Sequence, residues 1–207
     1  MKSIMKSLLI AIKPKWCAKI MNGEKTIEVR KENVGKTVQK LIDEQGFADI
    51  YVYCTKGKSL IYTDGTDGKG DYVDYKYYES YKGDKNDIGS GKVIFKFRCY
   101  KVEEILPFEE YESPFGMAYK LTKDKIVCCQ KAQLTYDEYN HCLKGKNGCA
   151  IHISDLEIFD EPKELSEFRK WYRVFESTEK VDVLPDIKLR KAPQSMVYIE
   201  VEDEQNE

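Results

Sequence analysis

Apolar positions along this chain change period every few residues, and each change marks an element. Leu8 to Ile12 form a short continuous apolar run, the pattern of a buried strand. Pro14, directly behind it, suits the first turn of a helix, where its missing N–H costs nothing. Trp16, Cys17, Ile20 and Met21 then recur at helical spacing, and Asn22-Gly23 supplies a left-handed stop. Over residues 26–30 the period falls to two. Ile27 and Val29 share one face, assigned to the core, while Thr26, Glu28 and Arg30 share the other, with Lys25 at the strand's mouth. Asn33 is placed to cap a second helix carrying Val34, Val38, Leu41 and Ile42 and ending near Gly46.

Ile50, Val52 and Cys54 alternate with Tyr51, Tyr53 and Thr55, and Lys56-Gly57-Lys58 predicts a turn into a hairpin partner over Ser59–Thr63. Residues 64–91 are dominated by Gly, Asp, Lys and Tyr without a sustained apolar period. They read as an exposed loop or ragged hairpin, an insertion whose trimming leaves a folded protein. In the strand predicted over 92–101, Val93, Phe95, Phe97 and Cys99 take one face, and Lys96, Arg98 and Tyr100 a basic, aromatic one. Thr135 and Glu138 form a capping box ahead of a stripe of Tyr139, Cys142 and Leu143 that ends at Gly145. In the next strand Ile151 and Ile153 share a face but Leu156 and Ile158 fall on the opposite parity, which predicts a bulge near Ser154-Asp155. Leu165, Phe168, Tyr172 and Phe175 space as an amphipathic helix, and Val197, Ile199 and Val201 alternate as a closing strand before an acidic tail over 200–207. Short strands and helices without the regular rhythm of a doubly wound sheet predict a single α+β domain, built on a small mixed β-barrel with peripheral helices.

Composition narrows the class. The chain of 207 residues is 42% hydrophobic, enough for one sizeable core. Its apolar runs are far shorter than a membrane span and its N-terminus lacks a signal-peptide pattern, so a cytoplasmic protein with no membrane partner is expected. Seven scattered cysteines argue against a disulfide framework. With two histidines and no CxxC, zinc-ligand spacing is absent, and neither a metal nor a cofactor is expected. The net charge of −2 speaks against a protein that coats duplex DNA, yet it conceals an asymmetry. Residues 1–40 hold ten Lys and Arg against three Glu, while the remainder holds 24 basic against 33 acidic residues, so an anion is expected to meet the N-terminal part.

Where the first helix ends and the next strand begins, Gly23-Glu24-Lys25-Thr26-Ile27-Glu28-Val29-Arg30 has the form GxKxxExR. It resembles the signature of the ASCH domain. Residues 9–31, 51–58, 91–104, 134–165 and 193–200 are also similar to small ASCH proteins of bacteriophages, with Met196 standing where those proteins commonly have tryptophan. The resemblance implies a PUA-like β-barrel whose groove beside the motif receives RNA, a nucleotide or a modified base.

The residue chemistry suits recognition. Arg30 offers a planar fork of donors, Lys25 a mobile cation, and Glu28 an acceptor that orients either or binds a base amino group. Tyr53, Tyr100 and Trp16 are candidates for stacking on a base, although Trp16 shares its stripe with Ile20 and is assigned to the core. The candidate ligand-binding set is Lys13, Lys15, Lys25, Thr26, Glu28, Arg30, Tyr53, Arg98, Tyr100, His152 and Ser195. Two alternatives stay open. One is an ASCH-type hydrolase of a nucleoside amide or phosphodiester, with Lys25 and Glu28 as catalytic candidates. Related enzymes that hydrolyse acylated cytidine place a threonine where Glu28 stands, so their hydroxyl is missing here. The other is a phage protein that binds a host protein. At a groove mouth, Lys25 and Arg30 are expected to tolerate alanine without loss of the fold.

Overall fold

The first strand, β1 (Ile4–Ile12), is central because both of its faces are apolar: Leu8, Ile10 and Ile12 point one way and Leu9 the other, all buried. The computed structural model describes residues 4–57, 59–63, 75–79, 89–171 and 188–202. After β1 come α1 (Pro14–Met21), β2 (Ile27–Lys31), α2 (Glu32–Gln45) and β3 (Ala48–Cys54). Strand β3 lies parallel to β1, with Ile12 opposite Cys54, so the C-terminal ends of both strands emerge side by side. The remaining elements are β4 (Ser59–Thr63), β5 (Tyr75–Glu79), β6 (Val93–Cys99), β7 (Val102–Ile105), β8 (Glu109–Ser113), β9 (Gly116–Lys120), α3 (Lys123–Ala132), α4 (Tyr136–Leu143), β10 (Gly148–His152), β11 (Ser154–Lys163), β12 (Arg169–Lys170) and β13 (Met196–Glu202).

The fold is a mixed α+β arrangement of a six-stranded sheet, ordered β11-β6-β3-β1-β13-β12, and a three-stranded sheet, ordered β2-β10-β7. Among the described residues these sheets do not close into a barrel, which corrects the barrel expected from sequence. The bulge near Ser154-Asp155 is present: Asp155 has φ 45° and the β11–β6 register shifts between Ser154 and Glu157. Its effect is to pass the chain from the small sheet (β10) into the large one (β11), because the extra residue reverses parity and redirects the strand.

Three apolar clusters follow from this layering. Leu8, Ile10, Ile50, Val52, Phe95 and Phe97 pack against α1 and α2. Ile27, Val29 and Ala150 of the small sheet pack against Cys128 and Cys129 of α3 and Tyr139 and Leu143 of α4. Leu9, Tyr51, Tyr53 and Ile199 pack on the far face of the large sheet with Phe168 and Leu189. Val93 belongs to this third cluster, not beside Phe95 as strict alternation predicts. The β3–β6 register slips between Val52 and Tyr53, and Val93 is turned over.

Other expectations need correction. Strand β4 has the predicted bounds but pairs with β5, not β3. That partner lies inside the segment read as loop or ragged hairpin. Ile61 of β4 is buried in the main core, so trimming through β5 removes the partner of a core strand. The helix predicted from Leu165 is a single 3-10 turn, Leu165–Glu167, followed by the extended β12. Phe168 is still buried, with its ring 5.4 Å from that of Tyr51. Tyr172 and Phe175 lie outside the described residues. Helix α2 starts at Glu32 with Lys31 in the cap position, so Asn33 falls inside the first turn. Strands β7, β8 and β9 and helix α3 had no predicted counterpart. No helix among the described residues is long and apolar enough to cross a membrane.

Helix α2 approaches the small sheet through Gly35, where an added Cβ would stand 2.5 Å from Cys149 Cβ. Gly35→Ala is therefore expected to lower stability by about 1–3 kcal/mol through overpacking, despite alanine's better helix propensity. Urea denaturation checks this; unchanged or raised stability would show that α2 does not pack this closely.

Candidate functional site

The motif's position follows from two local features. Helix α1 opens on Pro14 and stops at Gly23, whose φ of 73° is the left-handed conformation glycine adopts without strain. The chain then enters β2, which pairs with β10 so that Glu28 lies opposite Ile151 and Arg30 opposite Cys149. Opposed residues share a face, and Ile151 and Cys149 belong to the main core. The Glu28 side of β2 therefore points inward, while α3 and α4 cover the Ile27 and Val29 side.

Lys25 and Glu28 are accordingly buried, at 2% and 6% exposure. Lys25 Nζ donates to the Ala132 carbonyl at 2.8 Å, lies 3.2 Å from Glu28 Oε2, and stands 5.4 Å from the Trp16 ring centroid. Arg30 Nε is 2.8 Å from Glu28 Oε1, in coulombic contact with its N–H out of line for a hydrogen bond. Arg30 also donates through a terminal nitrogen to the Ala11 carbonyl at 2.7 Å. One carboxylate is thus held between two cations, each of which also grips a backbone carbonyl: Ala11 at the end of β1 and Ala132 at the end of α3. This arrangement is a brace across three elements. The expectation that Lys25 sits at an open mouth is corrected: Lys25 and Glu28 are packed into the brace, and little of either side chain reaches solvent.

Beside the brace lies a groove of about 690 Å³, lined by Lys13, Lys15 and Trp16 at the β1–α1 junction, Thr55 and Lys56 after β3, and Asp137, Glu138, His141 and Cys142 of α4. It opens where the C-terminal ends of the parallel pair β1 and β3 emerge, the end of such a pair at which open sheets commonly receive ligands. Lys15 Nζ sits 2.8 Å from Glu138 Oε1 and 4.5 Å from the Trp16 ring centroid. Burial works to raise the Glu138 pKa, but the Lys15 ammonium and the Thr135 backbone donor outweigh it and hold the carboxyl below its ordinary value. The predicted capping box is present: Glu138 N–H donates to Thr135 Oγ1, and Thr135 N–H to Glu138 Oε2. Lys13 and Lys56 have no carboxylate partner among the described residues.

Of the predicted set, only Lys13 and Lys15 line this groove, with Lys25, Glu28 and Arg30 packed behind it. Thr26 is exposed, its backbone pinned between Lys131 and Ile153. Tyr53 is buried on the far face of the large sheet and cannot stack on a base in the groove. Arg98 is paired with Asp49 through two donors and lies 3.9 Å from the Phe47 ring centroid. Tyr100 donates to Asp155 and packs edge-on to Phe47, so both form a separate surface cluster. His152 bonds Glu103 at 2.8 Å on the small sheet, away from the groove. Ser195 precedes β13, next in register to the Met196–Ile10 pair. Sequence reasoning missed Lys56, His141 and Cys142 as lining residues. Lys56 read as a turn residue and Cys142 as core, although Cys142 is the exposed member of the seven free cysteines. Among the described residues no three His, Cys, Asp or Glu side chains converge as metal ligands.

No family model and no curated protein matches the chain. Among solved structures it is similar to a serine-to-alanine mutant of the ASCH protein from Zymomonas mobilis, with 14% identity and a TM-score of 0.44, over 92% of this chain and 85% of that one. It is also similar to ASCH from Zymomonas mobilis at 14% identity and a TM-score of 0.40, over 77% and 73% of the two chains. A third likeness is to the N-terminal domain of Staphylothermus marinus McrB, at 9% identity and a TM-score of 0.39, over 78% and 77%.

Removing one partner from a buried charge cluster leaves its counterpart uncompensated, which costs about 3–5 kcal/mol. Glu28→Gln and Lys25→Ala are each expected to destabilise the protein on that scale, as read by chemical denaturation. A loss under about 1 kcal/mol in both, typical of exposed pairs, would place the cluster at the surface.

Proposed function

We propose that the groove beside the brace binds a nucleotide, free or as one unit of single-stranded RNA. The observation that carries the reading is the lining itself: Lys13, Lys15 and Trp16 of the β1–α1 junction and Lys56 after β3 line one groove with α4. Lys13 and Lys56 have no carboxylate partner among the described residues, so a phosphate would supply a counter-charge, while Lys15 is held in place by Glu138 and Trp16. The groove volume lies within the range of roughly 300–1,000 Å³ typical of small-molecule sites. Trp16, half-buried at the wall, offers an edge or face to a base, and aromatic contact of that kind is worth about 1–3 kcal/mol per base. The basic N-terminal part of the sequence and its GxKxxExR resemblance to PUA-like ASCH domains support the same reading. In it the motif positions the groove and the junction lysines make the contacts.

Cys142 gives a direct test, because it lines the groove while the other six cysteines are buried. Its thiol pKa is raised, chiefly by burial and then by Glu28, so alkylation is best followed at mildly alkaline pH. Nucleoside monophosphates are expected to slow Cys142 alkylation more than the matching nucleosides do. Lys13→Ala and Lys56→Ala are each expected to weaken that protection by about tenfold, as for a lost charge-assisted contact. Equal alkylation with and without every mononucleotide and short single-stranded RNA would refute the assignment.

A further inference from the structure

Strands β8 and β9 form an antiparallel hairpin that belongs to neither main sheet. Its root is fixed on α4. The Phe108 ring is buried among Tyr119, Tyr136 and Tyr139, and Asn140 accepts from the Phe108 N–H at 2.7 Å while donating to Glu110 Oε1 at 3.2 Å. The tip is fixed as well. Ser113 lies opposite Gly116, so Pro114 and Phe115 make a two-residue turn. Ser113 Oγ accepts from the Phe115 N–H at 3.3 Å and donates to the Gly116 carbonyl at 2.6 Å, and Gly116 takes a φ of 110° that favours glycine. This held arm carries large apolar side chains outward: Phe115 is 100% exposed, Met117 68% and Tyr111 52%. Met117 lies opposite Glu112, the neighbour of Tyr111, so Met117 and Tyr111 stand on opposite faces with Phe115 at the end. An arm apolar on both faces and at its tip, roughly 15 Å long from its five-residue strands, is shaped to enter a groove and not to lie on a flat surface.

Charge selects the groove. Glu109 is met by Lys120 and Glu110 by Asn140, while Glu112, near the tip, has no partner among the described residues. An acidic arm is repelled by nucleic acid and by anionic membrane surfaces, and suits a groove with an apolar wall and free cations. The chain itself presents one. The groove of about 690 Å³ holds Trp16 and Leu134 together with Lys13 and Lys56, which have no carboxylate partner among the described residues. The carboxylates in the same lining are already engaged, Asp137 by Tyr119, and Glu138 by Lys15 and the Thr135 N–H. Full exposure of Phe115 means that the arm does not fill the groove of its own chain. Helix α4 joins the two features: Tyr136, Tyr139 and Asn140 hold the arm's root, and Glu138, His141 and Cys142 line the groove. At about 100° per residue these stripes lie on different flanks of the helix. Two copies meeting across α4 can each offer an arm to the other's groove, and such an exchange closes as a two-fold dimer.

We propose that the β8–β9 arm docks reciprocally into the groove of a second copy of the chain, with Phe115 seated on Trp16 and Leu134 and with Glu112 meeting Lys13 and Lys56. Arm docking depends on the groove's shape and charge and not on its reading as a nucleotide site. It is measured without nucleotide, so either can fail alone.

Analytical ultracentrifugation of the full chain over a range of protein concentrations tests this. A reversible monomer–dimer equilibrium is expected, and Cys142, which lines the groove, is expected to be alkylated more slowly as the dimer forms. Phe115→Asp is expected to weaken dimerisation by more than about tenfold, as for a buried aromatic anchor, and to make Cys142 alkylation independent of protein concentration. Charge reversal separates arm-to-groove docking from any other association. Glu112→Lys, and Lys13→Glu with Lys56→Glu in one chain, are each expected to impair dimerisation. An equimolar mixture of these two proteins is expected to restore it, because each arm then meets a groove of opposite sign. All four positions are exposed, so every variant should keep a cooperative thermal transition. A chain that stays monomeric at its highest soluble concentration, a dimer that survives Phe115→Asp, or a mixture no more associated than its components would each overturn the proposal.

Discussion

A single carboxylate, Glu28, enclosed between Lys25 and Arg30, is the interaction on which the rest of the structure depends. An isolated buried carboxylate is prohibitively costly, so the chain must bring both cations to it, and bringing them fixes the relative positions of β1, β2, α1 and α3. The glycine stop after α1 delivers Lys25 to the cluster, and the β2–β10 register turns Glu28 inward. Each cation also satisfies a backbone carbonyl at the end of a neighbouring element. The cluster therefore adds positional specificity in proportion to the number of segments it ties together, whatever its net contribution to stability.

The groove is a consequence of that brace. With α1 anchored through Lys25 and Trp16, and α4 packed over Ile27 and Val29, the β1–α1 junction and α4 stand apart as the two walls of a slot, and the loop after β3 forms its end. Lys15 bridges these walls to Glu138, whose other oxygen already caps α4, so one carboxylate sets both the helix start and the groove's width. Lys13, Lys56 and His141 at the mouth are exposed, whereas Lys25 and Glu28 behind it are buried. This division lets a fixed frame carry an adaptable binding surface.

Much of the frame was legible in the sequence because local chemistry and global packing agree there. The Pro14 start and Gly23 stop of α1, the Gly46 end of α2, the Thr135–Glu138 capping box and the parity reversal near Asp155 are all decided within a few residues of chain. Reading failed where distant packing decides. Alternation in β2 showed two faces but not that both are covered, so Lys25 and Glu28 were assigned to an open mouth. A slip in the β3–β6 register, invisible to strict alternation, turned Val93 over. The helical spacing from Leu165 to Phe168 gave way to a 3-10 turn and an extended segment in which Phe168 packs on Tyr51 across the large sheet, a contact that local spacing does not reveal. Tyr53, Arg98 and Tyr100 were grouped with the motif by residue type, and only the sheet order shows that they lie elsewhere.

The account's central claim is that the motif braces the interior while the junction lysines bind the ligand. Replacing the whole cluster at once with apolar residues, Lys25→Met, Glu28→Leu and Arg30→Met together, separates these roles, because a buried ion cluster exchanged for well-packed side chains is often neutral or stabilising. Calorimetric titration of this folded triple variant with a nucleoside monophosphate is the direct measurement. Affinity within about threefold of the parent, the usual context-dependent scatter for remote changes, is the predicted result. A variant that keeps its cooperative unfolding transition but no longer binds would show that Lys25, Glu28 and Arg30 are themselves the ligand contacts, and would contradict the account.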